Sequence, residues 1–224
     1  MPLSVYVSLL IFLLPLPGCA VAATLVPPGT PDTTAVAPAA PPLVNAEQEL
    51  KGRALVQALR AGGYVLYMRH ALQFPPKTTG CELKNLTPVG EEQARRVGAA
   101  IRELKIPIGV VRSSEPCRNL DTARLLGFGA FEVTEALNPD GMREGFDVHA
   151  ARFKQLIETP PGGSNMLLVS HVHGSTNKAE WMHLELAEII VYRSDGKGAT
   201  TPVARVRLEG WAELLRVAAE TVGK

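Results

Sequence analysis

The sequence lacks an excess of charge of either sign: 23 Lys and Arg residues stand against 22 Asp and Glu, a formal net charge of +1 over 224 residues. Without a broad basic surface, nothing drives sequence-independent binding of nucleic acid through counterion release, and a polymer partner of that kind is disfavoured. No internal repeat is visible. Serine-hydrolase chemistry is poorly supported, because Gly162-Gly163-Ser164-Asn165-Met166 lacks the final glycine of a nucleophile elbow. What is present is the composition of a globular protein, 46% hydrophobic and 20% charged, with the length of one ordinary domain and little room for a second.

The N-terminus differs from the rest. Val5 to Leu16 is an almost unbroken apolar run that stops at Leu16-Pro17-Gly18-Cys19. It is too short for the roughly 20 residues of a spanning helix, but it suits the apolar core of a secretory signal. The Leu-x-Gly-Cys ending resembles a bacterial lipobox, in which cleavage leaves a cysteine lipidated at its new N-terminus. Residues 1–19 are therefore expected to be an export signal with Cys19 as a lipid attachment point; plain cleavage is the alternative. Residues 20–45 shift to Ala, Pro and Thr, with Pro27-Pro28, Pro41-Pro42 and Asp32 as the one charge, the composition of an extended tether. The folded domain is expected over residues 46–224.

Within it, apolar periods alternate between helix and strand. Leu50, Ala54, Leu55, Ala58 and Leu59 recur at helical spacing until Gly62-Gly63, and Tyr64 to Met68 then runs extended. Thr87-Pro88 opens a helix, with a side-chain oxygen at the cap and proline at the first helical position; Ala94, Val97, Ile101 and Leu104 stripe it. Ile108 to Val111 reads as a buried strand, a short helix after Pro116 carries Leu120, Ala123 and Leu126, and Phe131 to Thr134 is a weaker strand. Phe146 to Ile157 reads as helix and Asn165 to Val169 as a strongly apolar strand. Ile189 to Tyr192 and Val203 to Val206 form a hairpin around Asp195-Gly196, and Trp211 to Val222 closes the chain as a helix. Strands separated by helices imply a three-layer α/β/α sandwich with a largely parallel central sheet.

The chemistry falls where such sheets bind ligands, at the carboxyl ends of strands. Tyr64 to Met68 delivers Arg69-His70-Ala71, and Met166 to Ser170 delivers His171. Arg118 falls in the first turn of a helix, where unpaired N–H groups and the helix dipole attract anions. Two arginines and two histidines converging on one edge would form a site for a dianion.

In these motifs the chain resembles the histidine phosphatase superfamily, whose fold is called phosphoglycerate-mutase-like. Arg69-His70-Ala71 matches an Arg-His-Gly signature, and Leu86-Thr87-Pro88-Val89-Gly90 with Gln93-Ala94 matches the helix that follows it. Ser113-Ser114, Arg118 and Thr122-Ala123 match the second signature, and Val169-Ser170-His171 the third, in family order between Gly62 and Ala187. The resemblance implies that His70 is a nucleophile forming a phosphohistidine, while Arg69, Arg118 and His171 hold the nonbridging phosphate oxygens. It implies no metal or other cofactor, because the arginines supply the positive charge.

Several alternatives remain open at this point. His171-Val172-His173 has a common metal-ligand spacing, although Cys81 and Cys117 lie far off in sequence. His173 could instead line the phosphate pocket or cap a helix. Relatives place an acid for the leaving oxygen in the loop after the second arginine; Asp140 and Glu144 are the nearest candidates, and neither aligns cleanly. With Cys19 lipidated, Cys81 and Cys117 remain, and an oxidising periplasm would favour a bridge pinning the Arg118 loop to the segment after His70. The leading expectation is a periplasmic phosphomonoesterase acting on a small or lipid-linked phosphate, touching the membrane only through a lipid on Cys19. A noncatalytic phosphate-binding or envelope-interaction protein on the same fold is the alternative. A mutase is weaker, since the extra elements of mutases are absent.

Overall fold

The computed structural model describes residues 49–75, 81, 85–138, 146–157, 162–171, 183–195, 197 and 200–220. The expected export signal and tether lie outside these residues, as do Asp140, Glu144, His173 and Gly196.

Helix α1, Gly52–Ala61, buries Leu55, Val56 and Leu59 and stops at Gly62, whose φ of 82° is open to glycine at little cost. A side chain there would also meet the backbone of Gly163 and Ser164. Strand β1, Tyr64–Arg69, follows, then helix α2, Pro88–Glu103, capped by the Thr87 hydroxyl, which accepts from Gly90 N–H. Strand β2, Ile108–Ser113, leads into helix α3, Cys117–Leu126. A two-residue strand β3, Glu132–Val133, is followed by a 3-10 turn at Glu135–Leu137 that the apolar pattern does not announce. Helix α4, Phe146–Ile157, strand β4, Asn165–Ser170, the hairpin β5, Ile189–Ser194, with β6, Thr200–Val206, and helix α5, Gly210–Ala219, complete the domain.

The six strands form one sheet in the order β3-β2-β4-β1-β5-β6. β1 and β2 run parallel to β4, β3 runs parallel to β2, and β5 and β6 are antiparallel to their neighbours. The helices between the early strands allow parallel crossovers, whereas the few residues between β5 and β6 permit only a hairpin. Alternate side chains feed two cores. Leu66, Met68, Leu167, Val169 and Val191 pack beneath α1, α2, α3 and α5. Val65, Tyr67, Met166, Leu168 and Tyr192 pack beneath α4, where Phe153 meets the Tyr67 ring edge-on at 5.5 Å. The sheet is thus covered on both faces, the expected three layers, with β4 buried along its whole length at the centre.

Three strands run past their apolar segments: β1 to Arg69, β2 to Ser113 and β4 to Ser170. The ladder continues through Arg69↔Ser170 and Ser113↔Val169, because backbone pairing does not require apolar side chains. β3 is shorter than Phe131 to Thr134, holding only to the last residues of β2. The last helix begins at Gly210, one residue before Trp211, and ends at Ala219 rather than Val222, with Glu220 as its C-cap. Among the described residues, no helix is long and apolar enough to cross a membrane.

α2 and α3 approach closely enough that a Cβ on Gly98 would lie 2.0 Å from the Leu126 carbonyl oxygen. Arg102 donates to that same oxygen at 2.6 Å, capping the end of α3. Helix propensity favours Ala over Gly by about 1 kcal/mol, but a clash with backbone cannot be relieved by a rotamer change. Gly98→Ala is therefore expected to destabilise by about 1–3 kcal/mol in urea unfolding; a stabilised variant would disprove this packing.

Candidate active site

The ends of β1, β2 and β4 and the start of α3 are tied by backbone carbonyls. Ser170 O accepts from His70 N–H at 3.0 Å and from Asn119 Nδ2 at 2.7 Å, and Val169 O accepts from Ser114 N–H at 3.0 Å. The Thr122 hydroxyl donates to Arg118 O at 2.7 Å and accepts Ala71 N–H at 3.1 Å, locking the first turns of α3 to the residue after His70. A second set of ties explains the motif that opens α2. Leu72 O accepts Thr87 N–H, the Gln93 side-chain oxygen accepts Leu72 N–H at 2.9 Å, and Ala94 is buried beside Ala71. Gly90 is required because a Cβ there would fall 1.9 Å from Leu72 O.

This frame brings Arg69, His70, Arg118 and His171 to one edge. The two imidazole centroids are 5.8 Å apart. His70 Nδ1 lies 2.9 Å from Ala71 O. A carbonyl only accepts, so Nδ1 carries the proton and Nε2 the lone pair. Burial, aided by the charges of Arg118 and Arg69 and opposed by the bond to Ala71 O, holds the imidazole down at about 4, so it is neutral at ordinary pH.

His171 is oriented by a chain of donors. Arg118 Nη2 lies 3.2 Å from His171 Nδ1, and a guanidinium only donates, so Nδ1 accepts and Nε2 carries the proton. Nε2 then donates to Ser114 Oγ at 2.9 Å, Ser114 donates to Asn138 Oδ1 at 2.8 Å, and Asn138 Nδ2 donates to the Glu115 carboxylate. The guanidiniums themselves are half-buried. Desolvation lowers the pKa of both; the neighbouring Arg69 charge lowers that of Arg118 further, and Glu188 partly restores that of Arg69. Arg69 Nη1 donates to Leu184 O at 2.7 Å, yet the Nε of each arginine is buried without an acceptor among the described residues. Cationic groups so poorly solvated attract an oxyanion strongly.

Cys81 and Cys117 are bridged, with Cα atoms 5.2 Å apart, joining the residue before Arg118 to the segment after His70. Asp140, Glu144 and His173 lie outside the described residues. Among those described, no three His, Cys, Asp or Glu side chains are grouped closely enough to hold a metal ion. The motifs include Ser114 but assign it no role, and they miss Asn138 and Glu188 altogether. Asn138 sits 24 residues from Ser114 in an irregular stretch, and only the polar break after Leu137 hints at it.

No protein-family model and no curated protein matches the sequence. Solved structures do match. The protein histidine phosphatase SixA, in complex with tungstate, is 20% identical with a TM-score of 0.52, covering 65% of this chain and 97% of that one. A phosphoglycerate mutase from Bacillus anthracis aligns at 15% identity and a TM-score of 0.49, covering 70% of this chain and 98% of that one. A phosphoserine phosphatase from Entamoeba histolytica, in complex with 3-phosphoglyceric acid, aligns at 16% and 0.47, covering 66% and 98%. The likeness to SixA shows that the chain has the fold of that histidine phosphatase.

Two outcomes are expected. Because the folded-state pKa of His70 lies near 4 and the ordinary value near 6.5, the unfolded chain alone takes up this proton between those limits. Stability should fall as pH drops through that window, by up to about 3 kcal/mol, and no further on this account below it. Urea midpoints from pH 4 to 7 should lose that slope in His70→Asn; an equal slope in both proteins would contradict it. Cys81→Ser with Cys117→Ser should lower stability by about 4 kcal/mol on a chain-entropy basis, the closed loop having a sequence separation of 36.

Proposed function

We propose that this chain is a metal-independent phosphomonoesterase that transfers a phosphoryl group to His70 Nε2 and releases it to water. The observation that carries the reading is the state of His70: Nδ1–H is fixed on the Ala71 carbonyl, Nε2 bears the lone pair, and protonation is suppressed. A nucleophilic imidazole needs each of these features. Nε2 would attack phosphorus as the P–O bond to the leaving group breaks. Arg69 and Arg118 would hold the nonbridging oxygens, on which negative charge spreads in the transition state. An incoming oxyanion would compete with His171 Nδ1 for the Arg118 N–H, and His171 would itself donate to that oxyanion once Nδ1 carries a proton. Water then hydrolyses the phosphohistidine to free phosphate and neutral His70. The leaving oxygen takes a proton in the first step, and Asp140 and Glu144 are the candidate donors by position.

The substrate we assign is a small or lipid-linked phosphate of the periplasm or cell envelope. The short apolar run Val5 to Leu16 with Cys19 just beyond it supports export, and so does the Cys81–Cys117 bridge, which suits an oxidising compartment. Attachment to the membrane would be through a lipid on Cys19.

Rapid-quench labelling with a radioactive aryl phosphate should place acid-labile label on the wild type and none on His70→Ala. Equal label on both would exclude His70 as nucleophile, whereas phosphate affinity without any label would favour the noncatalytic binding protein. Mass spectrometry of the protein purified from its cells should find a lipidated N-terminus at Cys19; an unprocessed Met1 would refute export.

A further inference from the structure

Glu188 is the one fully buried carboxylate among the described residues, and nothing in the reaction above uses it. It lies just before β5, at the same sheet edge as His70. Arg205, on the neighbouring strand β6, grips it with both forks, Nε to Oε1 at 2.8 Å and Nη2 to Oε2 at 2.7 Å. Arg205 is itself buried, with 8% of its side chain exposed.

The pair is built into a turn. Glu188 Oε2 accepts Glu185 N–H at 2.7 Å, Glu188 N–H returns to Glu185 O at 3.2 Å, and Arg205 Nη2 also donates to His183 O at 3.0 Å. Residues 183–188 are thereby folded back on the Glu188 carboxylate, with Ala187 held at a φ of 61° that a non-glycine residue adopts only under constraint. The backbone of the same turn carries, at its buried residues, groups that meet the site. Leu184 O takes Arg69 Nη1 at 2.7 Å, Glu188 O takes Arg69 N–H at 3.0 Å, and Ala187 N–H donates to His70 O at 3.3 Å.

We infer that the buried Glu188–Arg205 pair is a positioning device for phosphate binding: by shaping the turn of residues 183–188, it fixes the Leu184 carbonyl that aims the Arg69 guanidinium at the anion. The inference rests on the phosphatase reading and deepens it. It can be separated from two simpler roles by sign. A carboxylate acting only through its charge repels the oxyanion, so neutralising it would tighten phosphate binding. A carboxylate that only supports the fold would change the unfolding temperature and leave the affinity of the folded protein alone. Positioning predicts weaker binding.

The test uses the full chain, with calorimetric titration of inorganic orthophosphate, thermal unfolding, and the His70 label as a separate readout. Glu188→Gln should lower the unfolding temperature, because it leaves Arg205 as a buried unpaired cation, and should raise the Kd for orthophosphate at least tenfold. Glu188→Gln with Arg205→Met removes that cation. It should recover most of the unfolding temperature while keeping Kd at least fivefold above wild type, and KM for an aryl phosphate should rise more than kcat falls. A Kd at or below the wild-type value in the folded double variant overturns the proposal, with the phosphatase reading intact if the wild type takes label. A wild type that neither binds orthophosphate nor takes label overturns both.

Discussion

Two guanidinium groups share one half-buried corner of this molecule, and their mutual repulsion constrains everything around them. Desolvation weakens the protonated form of each, and Arg69 weakens that of Arg118 further. Such an arrangement holds only if the surrounding elements are rigid enough to refuse a rearrangement. That rigidity comes from β4, buried throughout and paired on both sides, and from helices α2 and α3 packed glycine against backbone at Gly98. A bound oxyanion reverses the sign of the problem. The same low local polarity that makes two cations poor neighbours makes their joint attraction for a dianion strong.

The site is addressed mainly through carbonyl oxygens. Ala71 O sets the His70 tautomer, Ser170 O joins His70 to α3 through Asn119, and Leu184 O holds Arg69. Ala71 and Ser170 stand at the ends of strands whose positions the core fixes, whereas Leu184 stands in the turn of residues 183–188 that the Glu188 and Arg205 side chains hold. His171 is held by side chains on both ring nitrogens, by Arg118 on Nδ1 and by Ser114, with Asn138 behind it, on Nε2. On the Nε2 side its orientation depends on a relay of three side chains, which ends on the exposed Glu115.

The ordered motifs made His70, Arg69, Arg118 and His171 legible because each sits one or two residues from an apolar strand or a proline-led helix start, and both signals are local. Thr87-Pro88 is a similar case, since cap and first-turn chemistry span only a few residues. Glu188 and Arg205 were not legible. A buried ion pair between adjacent antiparallel strands leaves two ordinary charged residues 17 positions apart, and their burial becomes evident only once β5 and β6 are placed. The Cys81–Cys117 bridge stood between these cases: counting cysteines allowed it, and the docking of α3 beside the segment after His70 brought the two together. The 3-10 turn at Glu135–Leu137 has no apolar period of its own; its backbone bonds run from Leu137 N–H to Thr134 O and from Asn138 N–H to Glu135 O.

The alanine that replaces glycine in the Arg-His-Gly signature shows which part of that signature carries physical weight. Among the described residues, positive φ outside glycine occurs only at Lys105 and Ala187, so Ala71 sits in a conformation any L-residue adopts. Its methyl group is fully buried in a small cluster with Leu86, Ala94 and Leu125, where a glycine would leave a methyl-sized gap. The two bonds that matter at this position use its backbone: the carbonyl that accepts from His70 and the N–H given to Thr122. The third residue of the triplet is therefore required to present a carbonyl and an amide in fixed directions. An alanine does this as well as a glycine, and it joins the turn of His70 to the core that holds α2.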